Sequence, residues 1–273
     1  MSERRQAAYA ETLLKRRDPD RDSPFLHLGH WSGPPDQDLQ AAQRRLDAEV
    51  LALAEFGPGM SVLDVGCGIG GTLAHARGRW PDLDATGLNL DPAQLAVARA
   101  EQPGARFVEG DACAMPFPDA SFDRVLSIEA AFHFPSRRRF LREAARVLKP
   151  GGRLALSDIV PAPGLAELEG PLAFALECVI DAGLGPWPSF WSFRGWRALA
   201  AEEGLTVTAH VDATAATAPS YPCFQTERDA PERGNAPGMD AMTRAVSLLG
   251  WLHTTGRVRM VYVGLLKEGA LEV

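Results

Sequence analysis

An acidic residue followed by closely spaced glycines is the first feature of this sequence that indicates chemistry. The stretch from Val62 to Gly71 reads Val-Leu-Asp-Val-Gly-Cys-Gly-Ile-Gly-Gly, so Asp64 interrupts an apolar run just before Gly66, Gly68 and Gly70. A carboxylate at the end of a buried strand is costly unless it binds something. Glycines at a sharp turn also let a ligand lie directly against the main chain. We therefore expect this stretch to form a ligand-binding turn.

Two side chains that could move a proton lie in a second stretch, Ser127-Ile-Glu-Ala-Ala-Phe-His-Phe134. Glu129 and His133 are four residues apart, so a helical turn would bring them to one side. The unperturbed pKa of imidazole, about 6.5, suits proton transfer near neutral pH. A single histidine is more often structural, and the residues alone leave both roles open.

Hydrophobic periodicity indicates the elements that must position these residues. A buried strand at 61–65 runs into the glycine turn, and a helix follows from Thr72. Strands and helices alternate from there, which predicts a parallel sheet with right-handed crossovers and a ligand site beyond the carboxyl ends of the strands. The further predicted strands are 83–90, 107–108, 122–128 and 153–157, and the predicted helices are 38–56, 72–79, 91–101 and 137–148.

The pattern is weaker beyond residue 160. We predict helices at 172–182, 196–203 and 240–253, and strands at 206–211 and 258–266. The segment 213–238 is polar and rich in proline, and no element is predicted there. Residues 149–152, Lys-Pro-Gly-Gly, are predicted to form a turn before the fifth strand.

Composition and charge narrow the classes of function. Hydrophobic residues make up 46% of the 273 positions and charged residues 23%, which is an ordinary globular mixture. A net charge of -7 argues against generic binding to nucleic acid or to anionic lipid. The basic run Arg137–Arg139 is expected to be a solvated helix face, with contact to a phosphate-bearing substrate as the alternative.

The metal-binding and targeting signals are also weak. The four cysteines, at 67, 113, 178 and 223, form no C-x-x-C pair, so neither a zinc site nor a disulfide framework is expected. The histidines do not show metal-ligand spacing, and we predict no required metal. The first fifteen residues lack the apolar run of a signal peptide, and no stretch suits a membrane span. We therefore expect a cytoplasmic protein with no membrane partner.

The string Asp64-x-Gly66-x-Gly68-x-Gly70 resembles motif I of class I S-adenosylmethionine-dependent methyltransferases. The resemblance is specific over 61–160 and looser elsewhere, and it is strongest to small-molecule O-methyltransferases, including antibiotic-sugar enzymes. It implies an α/β fold with a Rossmann-like, doubly wound, mostly parallel sheet and a reversed C-terminal strand. It also implies an N-terminal helical lid, a cap inserted after the fifth strand, and S-adenosylmethionine as the cofactor.

The resemblance assigns the residues that follow the strands to the cofactor. Asn89 stands where the family usually has an acid that pairs with the ribose hydroxyls, and an amide can both donate and accept. Asp111 and Ala112 match the family's adenine contact. The other cofactor contacts implied are Asp64, Gly66, Gly68, Gly70, Leu90, Gln94 and Glu129.

The resemblance also suggests where the acceptor is held. His133 would lie beside the transferred methyl group, and Asp158 would follow the fifth strand, so either could take a hydroxyl proton. The aromatic segment Phe25–Trp31 is either a lid over the site or surface packing. The residues expected to contact the acceptor are Trp31, His133, Phe134 and Trp187.

A single domain over 1–273 is expected, with N-terminal helices and lid at 1–56, the cofactor-binding core at 57–160, a substrate cap at 161–253 and the final strand at 254–273. The favoured activity is methylation of a small-molecule hydroxyl in secondary metabolism. The alternatives are N- or C-methylation, or a catalytically silent protein of the same fold. Gly66, Gly68 and Gly71 also match a dinucleotide fingerprint, but Asp64 and Asn89 disfavour a nicotinamide enzyme. A monomer and a homodimer both stay open.

Overall fold

One seven-stranded sheet organises the part of the chain that the structure describes. The structure is a computed structural model, and it describes residues 27–33, 38–163, 165, 175–176, 178–180, 193–226 and 239–269. Within these residues the strand order is β3-β2-β1-β4-β5-β7-β6. The strands are β1 (Ser61–Val65), β2 (Asp84–Asn89), β3 (Arg106–Glu109), β4 (Phe122–Ser127), β5 (Leu148–Pro161), β6 (Leu205–Asp212) and β7 (Val258–Lys267).

Strands β1 to β5 run parallel, and β7 is antiparallel to both of its neighbours, β5 and β6. The prediction of a mostly parallel sheet with a reversed C-terminal strand is therefore confirmed. The carboxyl ends of β1, β2 and β4 meet at one edge of the sheet. This edge is where a ligand of such a fold binds.

Helices cover both faces of the sheet. They are α1 (Leu39–Ala54), α2 (Gly71–Arg79), α3 (Pro92–Glu101), α4 (Arg137–Val147), α5 (Phe193–Glu202), α6 (Thr214–Thr217), α7 (Ser220–Thr226) and α8 (Met239–Thr254). The helix ends follow local chemistry, because Asp91 accepts a hydrogen bond from the Gln94 amide at 2.7 Å and Pro92 begins α3. None of the described helices combines the length and the apolar character that a membrane crossing requires.

The sheet separates two apolar cores. One core joins α1, α2, α3 and α8 through residues such as Leu46, Leu73 and Leu95, and the other packs α4 and α5 around Phe140 and Trp196. Val62 faces the first core and Leu63 the second, as alternation along a strand requires. Asp64 therefore shares the face of Val62, on the side of α1 and α2.

The structure corrects the sequence-based interpretation in two places. The turn predicted at 149–152 lies within β5, which extends from Leu148 to Pro161. Leu148 already pairs with Phe122 of β4, and after an irregularity at 149–152 the regular pairing with β4 and β7 begins at Arg153. The segment without a predicted element contains two short helices, α6 and α7. The other predicted strands and helices agree with the structure to within a few residues, whereas most of the helix predicted at 172–182 lies outside the described residues.

Candidate active site

The glycine turn is shaped mainly by contacts within the protein. Gly66, Gly68 and Gly70 have φ of 79°, 54° and 88°, in the left-handed region that favours glycine. A Cβ at Gly66 would collide with Ala130, and one at Gly70 would collide with Gln102. The Gly66 amide donates to the Leu88 carbonyl at 2.8 Å, which ties the turn to β2. Packing as well as any ligand therefore requires glycine at positions 66 and 70.

The carboxyl group of Asp64 is buried near the carboxyl end of β1. Its exposed fraction is 2%, and no described residue forms a hydrogen bond or ion pair with its side chain. Burial raises its pKa to about 8, the negative charge of Asp47 adds to the increase, and His27 opposes it. A buried carboxyl group with a raised pKa and no hydrogen-bond partner among the described residues is a candidate for ligand binding. A cation is the ligand that would favour its charged form.

Asn89 links the end of β2 to the glycine turn. Its Nδ2 donates to Gln94 Oε1 at 2.8 Å and lies 3.5 Å from the Gly68 carbonyl oxygen. Its Oδ1 accepts from the Leu90 amide at 3.0 Å and keeps a second lone pair for a hydroxyl donor. The structure thus brings Asn89 and Gln94 together beside the turn, while the Leu90 side chain is 46% exposed.

Asp111 follows β3 and holds a local turn. Its Oδ1 accepts from the Cys113 amide at 2.8 Å, and its carbonyl accepts from the Ala114 amide at 3.0 Å. Ala112, the next residue, is buried. Among the described residues the second carboxylate oxygen of Asp111 has no hydrogen-bond donor, so it is available to a ligand.

Glu129 occupies a strained position just after β4. Its φ is 47°, a conformation that a non-glycine residue rarely adopts, and its amide donates to Ser157 Oγ at 2.8 Å. Its Oε1 accepts from the Leu28 amide at 3.0 Å. Burial raises the pKa of Glu129 to about 7, although the charge of His27 and the Leu28 amide oppose the increase. Glu129 therefore joins the end of β4 to the N-terminal segment.

His133 lies at the end of the 3-10 turn Ala131–His133 that leads from β4 toward α4. It is half-buried, and its ring centroid is 4.3 Å from that of Phe132. Phe134, which was expected to contact the acceptor, instead packs in the core with its ring centroid 4.9 Å from that of Phe140. The structure thus leaves His133, and not Phe134, as the candidate for acceptor contact in this turn.

Asp158 lies in a saturated buried ion pair. Its Oδ2 accepts from Arg137 Nε at 2.8 Å and from Trp196 Nε1 at 2.7 Å, and its Oδ1 accepts from Arg137 Nη2 at 3.1 Å and from its neighbour's amide at 2.9 Å. Asp158 is fully buried and Arg137 is 2% exposed. The prediction that Arg137 lies on a solvated face is wrong. These contacts also argue against Asp158 as the proton acceptor, because its oxygens already have four donors.

The N-terminal segment His27–Trp31 docks beside the end of β4 and against the helices that follow β6. Ser220 Oγ accepts from the Gly29 amide and from Trp31 Nε1, both at 2.9 Å, and donates to the Gly29 carbonyl at 3.2 Å. The Trp31 amide donates to the Ala216 carbonyl at 2.8 Å. Trp31 is therefore held by the segment 213–226. Trp187, also expected to contact the acceptor, lies outside the described residues.

Sequence reasoning missed three residues of this region: Asp47, Ser157 and Ser220. Only Asp47 leaves a signal in the sequence, because Gln43 and Asp47 interrupt the apolar face of α1 one turn apart and are both buried. Ser157 and Ser220 lie in segments where serine is unremarkable. Their partners are far away in the chain, so their contacts could not be inferred from spacing.

Comparisons with known proteins bear on the family to which the chain belongs. A family model described as a methyltransferase domain matches residues 63–156. The chain is 37% identical over 214 residues to 2-methyl-6-phytyl-1,4-hydroquinone methyltransferase from Synechocystis, a match that spans 72% of this chain and 64% of that enzyme. It is 34% identical over 202 residues to 27-O-demethylrifamycin SV methyltransferase from Amycolatopsis mediterranei, with 72% of each chain covered.

Solved structures share the fold. The cyclase SpnF superposes with a TM-score of 0.80 at 21% identity, covering 97% of this chain and 95% of its own. Geranyl diphosphate C-methyltransferase from Streptomyces coelicolor, solved with S-adenosyl-L-homocysteine, superposes with a TM-score of 0.76 at 17% identity, covering 96% and 98%. These identities show the fold alone. The extended similarity to the rifamycin enzyme, together with the family match, shows that the chain belongs to the class I S-adenosylmethionine-dependent methyltransferases.

Proposed function

We propose that this protein transfers the methyl group of S-adenosylmethionine to a hydroxyl of a small-molecule acceptor in secondary metabolism. The observation that carries the proposal is the buried carboxyl group of Asp64, which has no hydrogen-bond or ion-pair partner in the described part of the chain, beside three glycines in the left-handed conformation. An ammonium group is a partner that this carboxylate lacks, and the cofactor has one at its amino acid end. A nicotinamide dinucleotide would bring phosphates to the same place, where a buried acid would repel them.

The residues at this edge of the sheet fit the other parts of the cofactor. Asn89 Oδ1 has a lone pair for a ribose hydroxyl, and Gln94 holds the Asn89 side chain in place. The second oxygen of Asp111 suits an exocyclic amine, next to the amide of Ala112. The cofactor supplies an electrophilic methyl group on a sulfonium centre, so the protein has chiefly to bind, align and exclude water.

A base is needed when the acceptor is a poorly acidic alcohol, because the oxygen must lose its proton as the methyl group transfers. We assign this role to His133. It lies after β4 at the ligand-binding edge and is only half-buried, and imidazole is well matched to the task near neutral pH. Asp158 has no part in this proposal, since its oxygens hold Arg137 and Trp196.

The relatives support a small-molecule acceptor and leave its reacting atom to experiment. One is named for methylation at an oxygen of a rifamycin, while a structural neighbour is named as a C-methyltransferase. The similarity to the rifamycin enzyme covers most of both chains, and this favours oxygen. A nitrogen or carbon acceptor, and a silent cofactor-binding protein, are the other candidates.

Calorimetry on the full chain tests the cofactor assignment. S-adenosylmethionine and S-adenosylhomocysteine should both bind, and NAD should not. Turnover is then measured with methyl-labelled cofactor and a panel of hydroxylated natural products, with amine analogues as the comparison. Binding of NAD without binding of either adenosyl ligand would overturn the proposal, and transfer to amines alone would move the acceptor from oxygen to nitrogen.

A further inference from the structure

Asp47 is a fully buried carboxylate that α1 directs toward the glycine turn and the N-terminal segment. Its Oδ1 accepts a hydrogen bond from Thr72 Oγ1 at 3.1 Å and lies 3.2 Å from His27 Nε2, and its Oδ2 lies 3.4 Å from His75 Nδ1. Burial would raise the pKa of Asp47, but the contacts with His27 and His75 outweigh it and lower the pKa. A buried anion needs such partners, so their arrangement is constrained.

The partners of Asp47 come from two parts of the site that are distant in sequence. Thr72 and His75 belong to the first turns of α2, which begins directly after Gly70. His27 begins the docked segment His27–Trp31, and its carbonyl also accepts from Gln43 Nε2 at 2.6 Å, one helical turn from Asp47. One carboxylate therefore holds both the helix that continues the glycine turn and the segment that docks on Glu129.

We propose that Asp47 is a positioning residue that couples cofactor binding at the glycine turn to docking of the segment His27–Trp31. This inference rests on the proposed function. A ligand on the turn fixes the start of α2, including Thr72. Through its hydrogen bond with Thr72, the Asp47 carboxylate is then held in the position that His27 requires. Docking of the segment in turn fixes the carboxylate and the first turn of α2. Such coupling is reciprocal, so each event favours the other.

Hydrogen exchange on the full-length protein, with S-adenosylhomocysteine as the probe, separates coupling from plain stability. In the wild-type protein the probe should slow exchange at residues 66–75 and also at 27–31. In Asp47→Asn it should still slow exchange at 66–75, while the effect at 27–31 is lost and affinity falls roughly fivefold or more.

The matched control is Asp123→Asn. Asp123 also forms an ion pair, with Lys149 at 2.8 Å, but it lies near the amino end of β4, away from the glycine turn at the carboxyl ends of the strands. This variant should keep both ligand-dependent effects. Should Asp47→Asn fail to fold, His27→Gln removes only the segment's side of the contact and should lose the effect at 27–31 in the same way.

The outcomes distinguish the two proposals. If the probe binds the wild-type protein and Asp47→Asn or His27→Gln keeps full protection at 27–31, the coupling is overturned and the cofactor assignment stands. The coupling is likewise overturned if the wild-type protein binds the probe and hydrogen exchange at 27–31 does not slow. A wild-type protein that does not bind the probe overturns the proposed function and the coupling with it.

Discussion

Asp64 in β1 and Asp158 in β5 are both buried carboxylates near the carboxyl ends of parallel strands, yet their surroundings are opposite. Asp158 receives four hydrogen bonds, two of them from Arg137, whereas Asp64 receives none from any described residue. A saturated carboxylate contributes to the folded state, and an unpartnered one costs stability until a ligand arrives. Position on the sheet therefore does not decide function. The hydrogen-bond partners of each carboxylate decide its function, so substitution of Asp158 should affect stability and substitution of Asp64 should affect ligand binding.

Removing the saturated carboxylate should have the largest effect on folding. Asp158→Ala leaves the Arg137 guanidinium buried without its anion, which costs about 3–5 kcal/mol in similar sites. We expect the free energy of unfolding, measured by urea denaturation, to fall by this amount. Asp158→Asn should lose less because it keeps acceptor capacity. A variant with wild-type stability would show that the other contacts of Arg137 compensate for the lost ion pair.

His133→Ala tests whether His133 takes the proton of the acceptor hydroxyl, because the hydrogen bonds of Asp158 argue against that residue as the base. We expect kcat to fall about a hundredfold, because general base catalysis typically contributes 10²–10⁴-fold, while cofactor affinity stays near the wild-type value. The rate of the wild-type enzyme should rise with pH through one ionisation that the variant lacks. Unchanged kcat and pH dependence in the variant would remove His133 from the proposed mechanism.

Asp64→Asn should separate stability from binding. Loss of the charged acceptor should weaken cofactor binding by about 1.5–3 kcal/mol, roughly tenfold to more than a hundredfold, as measured by calorimetry. As the pH approaches the Asp64 pKa of about 8, the ligand-free variant should become more stable than the wild-type protein, because an amide avoids burial of an unpaired charge. A variant that binds the cofactor normally but unfolds more easily would show that Asp64, like Asp158, stabilises the fold and does not bind the cofactor.

The pH dependence of binding should be the smallest effect when it is taken over one pH unit. The pKa of Asp64 in the ligand-free protein is raised to about 8, so the carboxyl group must lose a proton to receive an ammonium group. Affinity should therefore rise by up to about tenfold per pH unit below pH 8 and then level off. Asp64→Asn should not show this increase, which distinguishes Asp64 from other titrating groups.

The same shift predicts a change in the stability of the ligand-free protein. A pKa raised above the unfolded value gives stability that is present at low pH and lost as the pH rises through the folded value. Asp64 therefore makes the protein less stable as the pH rises from about 4, the pKa of an unfolded Asp, to about 8, and the stability of Asp64→Asn relative to wild type should increase over the same range. Thermal unfolding of both proteins across this range provides the measurement.

The strands and the glycine turn could be predicted from the sequence because their signals are local. Ser61–Val65 is an apolar run that stops at glycine, and the structure places β1 at the same residues. The role of Asp158 could not be predicted in this way. Arg137 and Trp196, which surround it, are brought together only by tertiary packing, and an arginine run at the start of a helix indicates solvent when only neighbours in sequence are considered.

The position of β7 has a consequence for how the chain reaches its native state. β5 and β6 are neighbours of β7 and not of each other, so the sheet cannot be completed until the last strand inserts between them. During synthesis on the ribosome, β5 would present an open edge while the following segments are made, and open edges invite intermolecular pairing. Contacts between residues so distant in sequence also slow folding, because loop closure must come first. We therefore expect insertion of β7 to be a late step in folding, and the nascent chain to need protection from aggregation until then.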